Sequence, residues 1–359
     1  VLFRSKVVGT GAVNLKVRVA LNASQLNTAL TSNTFKLIVA SPGVPCPREA
    51  TATLVAPASA GLGDRVWLDA NANGLQDDNE TGIAGVSVEL YASVGGVATG
   101  SPLASTTTGA TGTYGFTNLQ AGDYVVKFIT PSGSILTTLN AGDDSQDSDA
   151  ASNGFTGPVS LGANETNNSI DAGFYQLASI TGTVFVDADN DGILDAGETR
   201  LPNVTITLTG TDGAGNSVTR TVTTAADGTY TFDNLVPGTY TVSESQPSDY
   251  FDGTDSLGNS GGSLANDSIS SITLVSGSAV TDVNFGELAP AKLGDRVWID
   301  ANANGRQDAL EANAAGVTVE LYTSVAGLAT GSALASTTTN ANGNYEFAAL
   351  APGSYIVKF

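Results

Sequence analysis

In the stretch DANANGLQDDNE, Asp69, Asn71, Asn73, Asp77 and Glu80 fall at positions one, three, five, nine and twelve, with Gly74 at six. This is the D-x-[DN]-x-[DN]-G-x5-E spacing of a calcium loop. The chemistry needs that spacing because alternate side chains turn onto one ion, glycine permits the sharp turn, and a distal glutamate binds bidentately. Position seven, Leu75, contributes only its backbone carbonyl, so its side chain is free to be apolar. The pattern recurs in DADNDGILDAGE, with Asp187, Asp189, Asp191, Ile193, Asp195 and Glu198. It recurs again in DANANGRQDALE, with Asp300, Asn302, Asn304, Arg306, Asp308 and Glu311. Polar residues of these types also favour ordinary turns without a metal. Three copies that all keep the distal glutamate favour the ion, and Ca2+ is the expected cofactor.

Composition narrows the remaining chemistry. The 359 residues include 35 acidic and 14 basic side chains, a formal charge of −21, which disfavours nucleic acid and anionic membrane surfaces as partners. There is no histidine and a single cysteine, Cys46, so zinc, haem and iron–sulfur sites lack ligands and no intrachain disulfide can form. Oxygen donors remain, which suits a hard cation. No apolar run is long enough to span a bilayer.

The loops need rigid supports, and the flanking residues supply them. Arg65-Val66-Trp67-Leu68 leads into the first loop, and Val86-Ser87-Val88-Glu89-Leu90-Tyr91 follows it, alternating with β-branched and aromatic residues. Each loop therefore joins strand to strand, unlike an EF-hand between helices. A second signature follows in every copy: Tyr114 and Phe116 with Leu119, Gly122 and Tyr124; Tyr230 and Phe232 with Leu235, Gly238 and Tyr240; Tyr345 and Phe347 with Leu350, Gly353 and Tyr355. Tyr and Phe two apart share a sheet face, which predicts core packing; a sugar-stacking platform is the functional alternative.

LGDRVWLDANANGLQD at Leu62 returns as LGDRVWIDANANGRQD at Leu293, and the loop period is the size of a domain rather than of a short solenoid repeat. The predicted organisation is a β-domain remnant over 1–60, complete repeats over 61–177 and 178–289, and a truncated repeat over 290–359. Within the remnant, strands are predicted at Val13 to Leu21, Phe35 to Ala40 and Thr51 to Ala56, with Cys46 in a loop. Phe359 is the counterpart of Phe128, so the third repeat is expected to be an incomplete sandwich.

The LGDRVWLDANANGLQD opening, the Gly-x-Tyr-x-Phe-x-x-Leu-x-x-Gly-x-Tyr middle and the Asp171-Ala172-Gly173-Phe174-Tyr175 close together resemble the SdrD B-like repeat of bacterial surface proteins, in the Cna B-type, transthyretin-like group. The resemblance covers residues 62–359. It implies an all-β fold of tandem Greek-key sandwiches, extracellular display, calcium in the loops and a stalk role. It also implies further calcium ligation by acidic loops, for which Asp143, Asp144, Asp147 and Asp149 are the match; a solvated acidic loop is the equal alternative. The second repeat offers only the looser Asp249, Asp252 and Asp255. Related domains carry Lys–Asn crosslinks, but no lysine lies between Ala178 and Leu288. Lys127 is outside the first strand and Lys292 lacks a closing strand, so no crosslink is expected.

The expected function is a non-enzymatic, calcium-binding, rod-like spacer of a secreted or surface-anchored protein, an adhesin by resemblance. Its partners would be calcium ions and neighbouring domains, with a host or cell-surface ligand engaged through a domain elsewhere. The alternative is a carbohydrate- or ligand-binding accessory module. Paired carboxylates could serve a glycosidase, but acids repeating in metal-ligand register suit architecture better than one active site.

Overall fold

The computed structural model describes residues 33–39, 48–54 and 59–359. The chain divides into two compact units, Val1–Ser59 and Ala60–Phe359. In the first, Asn33–Val39 and Arg48–Leu54 form an antiparallel pair running from Asn33 opposite Leu54 to Val39 opposite Arg48. The expected strand at Val13 to Leu21, and Cys46, lie outside the described residues. The described residues contain strands and connecting segments but no helix.

In the second unit, the first repeat is a sandwich of two sheets around one core. One sheet centres on Ala60–Leu68, which pairs antiparallel with Thr113–Leu119 and parallel with Ala172–Tyr175. The other runs Val97–Thr107, Ser87–Val94, Gly122–Phe128, Val159–Leu161. The chain thus crosses from one sheet to the other between Leu68 and Ser87, and the first calcium-loop motif occupies that crossing. Between the sheets lie Val66, Val88, Leu90, Tyr114, Phe116, Phe128 and Phe174. Each such buried side chain contributes about 1.5–3 kcal/mol of transfer free energy.

The tyrosine–phenylalanine motif packs the core as expected. Tyr114 and Phe116 meet edge to face, as do Tyr230 and Phe232, and the hydroxyls of Tyr114 and Tyr230 donate to the carbonyls of Ile170 and Val283. Burial therefore leaves no unpartnered phenol. Leu68 is followed by the predicted crossing, but strict alternation fails just before it: Val66 and Trp67 are both fully buried. The Trp67 indole lies against Gly173 of the closing strand. A Cβ on Gly173 would stand 2.7 Å from Trp67 Cζ2, so only glycine leaves room for the indole.

The second repeat has the same plan. Ala178–Val186 pairs with Thr229–Leu235 and, in parallel, with Phe285–Leu288; the opposing sheet runs Ser217–Thr223, Thr205–Asp212, Gly238–Glu244, Ser268–Leu274, Ser263–Ala265. The third repeat has a two-stranded sheet, Ala291–Arg296 with Asn344–Leu350, and a three-stranded one, Leu328–Thr338, Thr318–Val325, Tyr355–Lys358. Its buried apolar cluster holds Val319, Leu321 and Phe347, and Phe359 is 65% exposed where its counterpart Phe128 is 1%. Among the described residues no helix is long and apolar enough to cross a membrane.

Candidate metal centres

All three loops have one hydrogen-bonding plan. In the first, the amides of Asn73 and Gly74 donate to the two oxygens of Asp69, at 3.2 and 2.8 Å. Glu80 returns from the far end, accepting from the Ala70 amide through Oε1 at 2.6 Å and from the Asp77 amide through Oε2 at 3.1 Å. The Leu75 amide donates to Asn73 Oδ1. Positive φ at Ala72 and Gly74 gives the curl its sharpness. Asp187 and Glu198 repeat this clamp on the amides of Asp191, Gly192, Ala188 and Asp195. In the third loop Asp300 and Glu311 hold Asn304, Gly305, Ala301 and Asp308. Hydrogen bonds therefore link the first, third, fifth, ninth and twelfth positions in the first and third loops, and in the second loop the first, third and fifth carboxylates gather while the amides hold the first and last.

The supports differ. Asp69 and Asp187 are fully buried, whereas Asp300 is half-buried on the thinner third sandwich. Asp69 also accepts from Thr137 Oγ1 at 2.5 Å, and Arg65 braces the loop by donating to the Glu80 carbonyl at 2.7 Å and to Gln76 Oε1 at 3.1 Å. Neither support was evident from spacing, since Thr137 lies 68 residues from Asp69. Burial pushes the Glu80 carboxyl above its ordinary range, opposed by the Ala70 and Asp77 amides and reinforced by the charges of Asp69 and Asp77.

Asparagine at positions three and five has a role of its own. In the first loop the Asn71 and Asn73 amides donate to Asp77 Oδ2, and in the third the Asn302 and Asn304 amides donate to Asp308 Oδ2 and hold that carboxyl below its ordinary range. The second loop has Asp189 and Asp191 in those places. Asp191, then desolvation, then the other loop acids raise the Asp189 carboxyl, and Asp187, Asp189 and Asp191 present oxygens within 4.8 Å of one another. Like charges so close repel one another, which is why the Asp189 carboxyl holds its proton more tightly.

The acidic loop of the first repeat is drawn together with the closing strand. Asp147 is buried and accepts from the Gly142 amide, Asp149 accepts from the Asp171 amide at 2.7 Å, and Asp144 accepts from Ser169 Oγ. Asp143 stays exposed, its carbonyl accepting from Gln146 and Asp147. Asp171, quoted above only as part of the closing motif, is buried beside them, with Oδ1 on the Arg65 amide and Oδ2 unpartnered. Burial first, then the surrounding acids, push Asp149 to about 7 and Asp171 to about 8.

The first loop also touches the next repeat. The Ala70 carbonyl accepts from the Ser276 amide at 2.8 Å, the Gln176 amide donates to Ser276 Oγ, and Gly213 lies directly against Asn71 and Ala72. Lys127 sits over the Phe155 ring and Lys292 pairs with Glu346 on the surface, so neither is directed at an asparagine.

Comparison with known proteins places these features in context. Residues 60–174, 178–287 and 291–359 match the SdrD B-like domain. Serine-aspartate repeat-containing protein F of Staphylococcus epidermidis is 38% identical over 304 residues, covering 83% of this chain and 16% of that protein. Serine-aspartate repeat-containing protein D of Staphylococcus aureus strain Newman is 36% identical over 301 residues, covering 83% and 22%. The chain thus spans between 16% and 22% of the length of these two relatives. Among solved structures, the Bacillus anthracis TIE protein is similar at 17% identity and a TM-score of 0.34, covering 91% of this chain and 52% of that one. BcpA, the major pilin subunit of Bacillus cereus, is similar at 12% identity and a TM-score of 0.33, covering 83% and 86%.

Proposed function

Because the chain belongs to the SdrD B-like domain family, we propose that it is a calcium-stiffened, non-enzymatic spacer within a larger extracellular or surface-attached bacterial protein. The three family matches are read as successive domains, which agrees with the separate cores of the first and second repeats. Asp69, Asn71, Asn73, the Leu75 carbonyl, Asp77 and Glu80 would hold one Ca2+. Asp187, Asp189, Asp191, Ile193, Asp195 and Glu198 would hold a second, and Asp300, Asn302, Asn304, Arg306, Asp308 and Glu311 a third, with Ile193 and Arg306 acting through their carbonyls.

One observation carries the reading: the first loop is both a cage of oxygen donors and the surface on which the second repeat rests, through Ala70 and Ser276. An ion that fixes the cage then fixes the junction. The motif aromatics are buried at Tyr114, Phe116, Tyr230 and Phe232, which removes them as a sugar platform. Host or cell-surface ligands would be engaged by other parts of the parent protein.

Thermal unfolding with calcium and with a chelator tests this. At free calcium about 100 times Kd, each site should add roughly 2.7 kcal/mol to the folded state, a sizeable part of the usual 5–15 kcal/mol per domain. Identical melting under both conditions would remove calcium from the structural role.

A further inference from the structure

The second repeat holds an acidic cluster that the loop motif does not account for. Glu244 ends the strand Gly238–Glu244, and Glu287 lies on Phe285–Leu288, paired in parallel with Val186. Glu244 is 8% exposed and Glu287 fully buried. Asp267, in the turn between Ser263–Ala265 and Ser268–Leu274, brings a carboxylate oxygen within 4.8 Å of oxygens from both. Asp252 stands opposite Glu287 in the adjoining short strand, and Asp255 accepts from the Gly286 amide.

The first repeat shows what this position ordinarily contains. Glu244 faces Ile206 as Phe128 faces Val88, and Glu287 sits beside Val186 as Phe174 sits beside Leu68. Two core phenylalanines are thus replaced by two glutamates. Burying an ionised carboxylate costs several kcal/mol unless something of opposite charge meets it.

No side chain of the repeat does so. Between Ala178 and Leu288 there is no lysine and the arginines are Arg200 and Arg220. Arg220 donates to the carbonyls of Asp233 and Asn234, and Arg200 acts on Asp227. The side-chain donors to the cluster are neutral amides, Gln246 on Glu287 Oε2 and Asn266 on Asp267 Oδ2. Among the described residues nine buried side-chain polar atoms lack a hydrogen-bond partner; five are here, namely both oxygens of Glu244, Glu287 Oε1, Asp252 Oδ1 and Asp267 Oδ1. Native interiors seldom leave such groups unsatisfied, and an ion is one of the few things that satisfies several at once.

We infer that Glu244, Glu287 and Asp267, with Asp252 and Asp255 at the rim, form a separate site for one hard divalent cation of the calcium class, specific to the second repeat. Every donor is a carboxylate oxygen, which selects calcium over soft transition metals. Glu244 and Glu287 make the floor of the site, and the half-buried Asp252, Asp255 and Asp267 leave a route to solvent. The site has its own ligands, apart from those of the second loop, Asp187 through Glu198, and adjoins that loop where the Glu287 carbonyl accepts from the Asp187 amide.

Equilibrium dialysis of radioactive calcium against the full chain tests the inference by counting bound ions. Glu244→Gln/Glu287→Gln, nearly isosteric, should hold one ion fewer than the wild type, while Asp191→Ala/Glu198→Ala, which removes the fifth and twelfth loop ligands, loses a different ion and the combined variant loses both. Glu244→Phe/Glu287→Phe restores the residues of the first repeat and should fold, also with one ion fewer; it decides the matter if the glutamine variant fails to fold. An undiminished count in the folded variant, the result expected if the glutamates merely share protons, would overturn the site.

Discussion

Replacing Gly213 by alanine should weaken calcium binding in a loop that belongs to the neighbouring repeat. Gly213 follows the strand Thr205–Asp212, and a Cβ there would stand 1.8 Å from the Asn71 carbonyl oxygen and 2.7 Å from the Ala72 carbonyl carbon. Both are backbone atoms of the first loop, so no rotamer change relieves the collision. Gly213 is not among the positive-φ glycines, and within its own repeat alanine is therefore unstrained. Such a replacement commonly raises stability by about 0.4–1 kcal/mol through the unfolded chain. The cost falls on the junction. Separating the repeats breaks the Ser276–Ala70 hydrogen bond, worth about 0.5–1.5 kcal/mol, which is about a two- to twelvefold rise in Kd if that bond organises the loop. The chain has 2 tryptophans, and Trp298→Phe leaves Trp67, buried two residues before Asp69, as the reporter of this loop. Fluorescence titration with calcium in that background, with and without Gly213→Ala, reads the coupling. An unchanged Kd in the alanine variant would refute the proposed link between loop and junction, since linkage makes the effect reciprocal.

Three other outcomes are expected. The second loop should bind calcium more tightly than the first, because Asp189 and Asp191 replace Asn71 and Asn73 and carboxylate count is one lever on affinity; calorimetric titration of Asp189→Asn/Asp191→Asn should bring it down towards the first, and no change would count against the ranking. In chelator, the first repeat should lose stability as pH rises. Asp149 and Asp171 titrate near about 7 and about 8 when folded against an ordinary 3.8, so the folded chain holds extra protons between those limits; the stability is fully present below 3.8 and is lost as pH climbs through 7 to 8. Urea midpoints at about pH 5 and about pH 9 check the sign, and a higher midpoint at the alkaline value would contradict it. Gly173→Ala should destabilise the first repeat by about 1–3 kcal/mol through overpacking against Trp67 and Thr137, seen as a lower urea midpoint with altered indole emission.

The loops and the strands that hold them were legible because their signals are local: a twelve-residue donor spacing, period-two alternation, and a Tyr-x-Phe pair on one face. What escaped depends on contacts far apart in sequence. Thr137 reaches the first loop from 68 residues away and Gly213 from another repeat, while Arg65, on the strand that enters the loop, turns forward onto Gln76 and Glu80. Glu244 and Glu287 are isolated acids in ordinary strands, and only pairing with Ile206 and Val186 reveals that they occupy the places of Phe128 and Phe174. Asp249, Asp252 and Asp255 were legible as a loose acidic loop, of which Asp249 stays exposed, but not the gathering of Glu244, Glu287 and Asp267. Strict alternation fails at Val66 and Trp67, where the indole is buried against Gly173 of the closing strand, a tertiary effect that periodicity does not encode.

Small-angle scattering of the chain, with saturating calcium and with a chelator at fixed ionic strength, bears most directly on the claim that calcium stiffens it. With the ions bound, the loops and the Ala70–Ser276 junction should hold one narrow distribution of distances; with the ions removed, repulsion among the bared carboxylates should broaden it and raise the maximum dimension. Superimposable scattering curves would contradict the account.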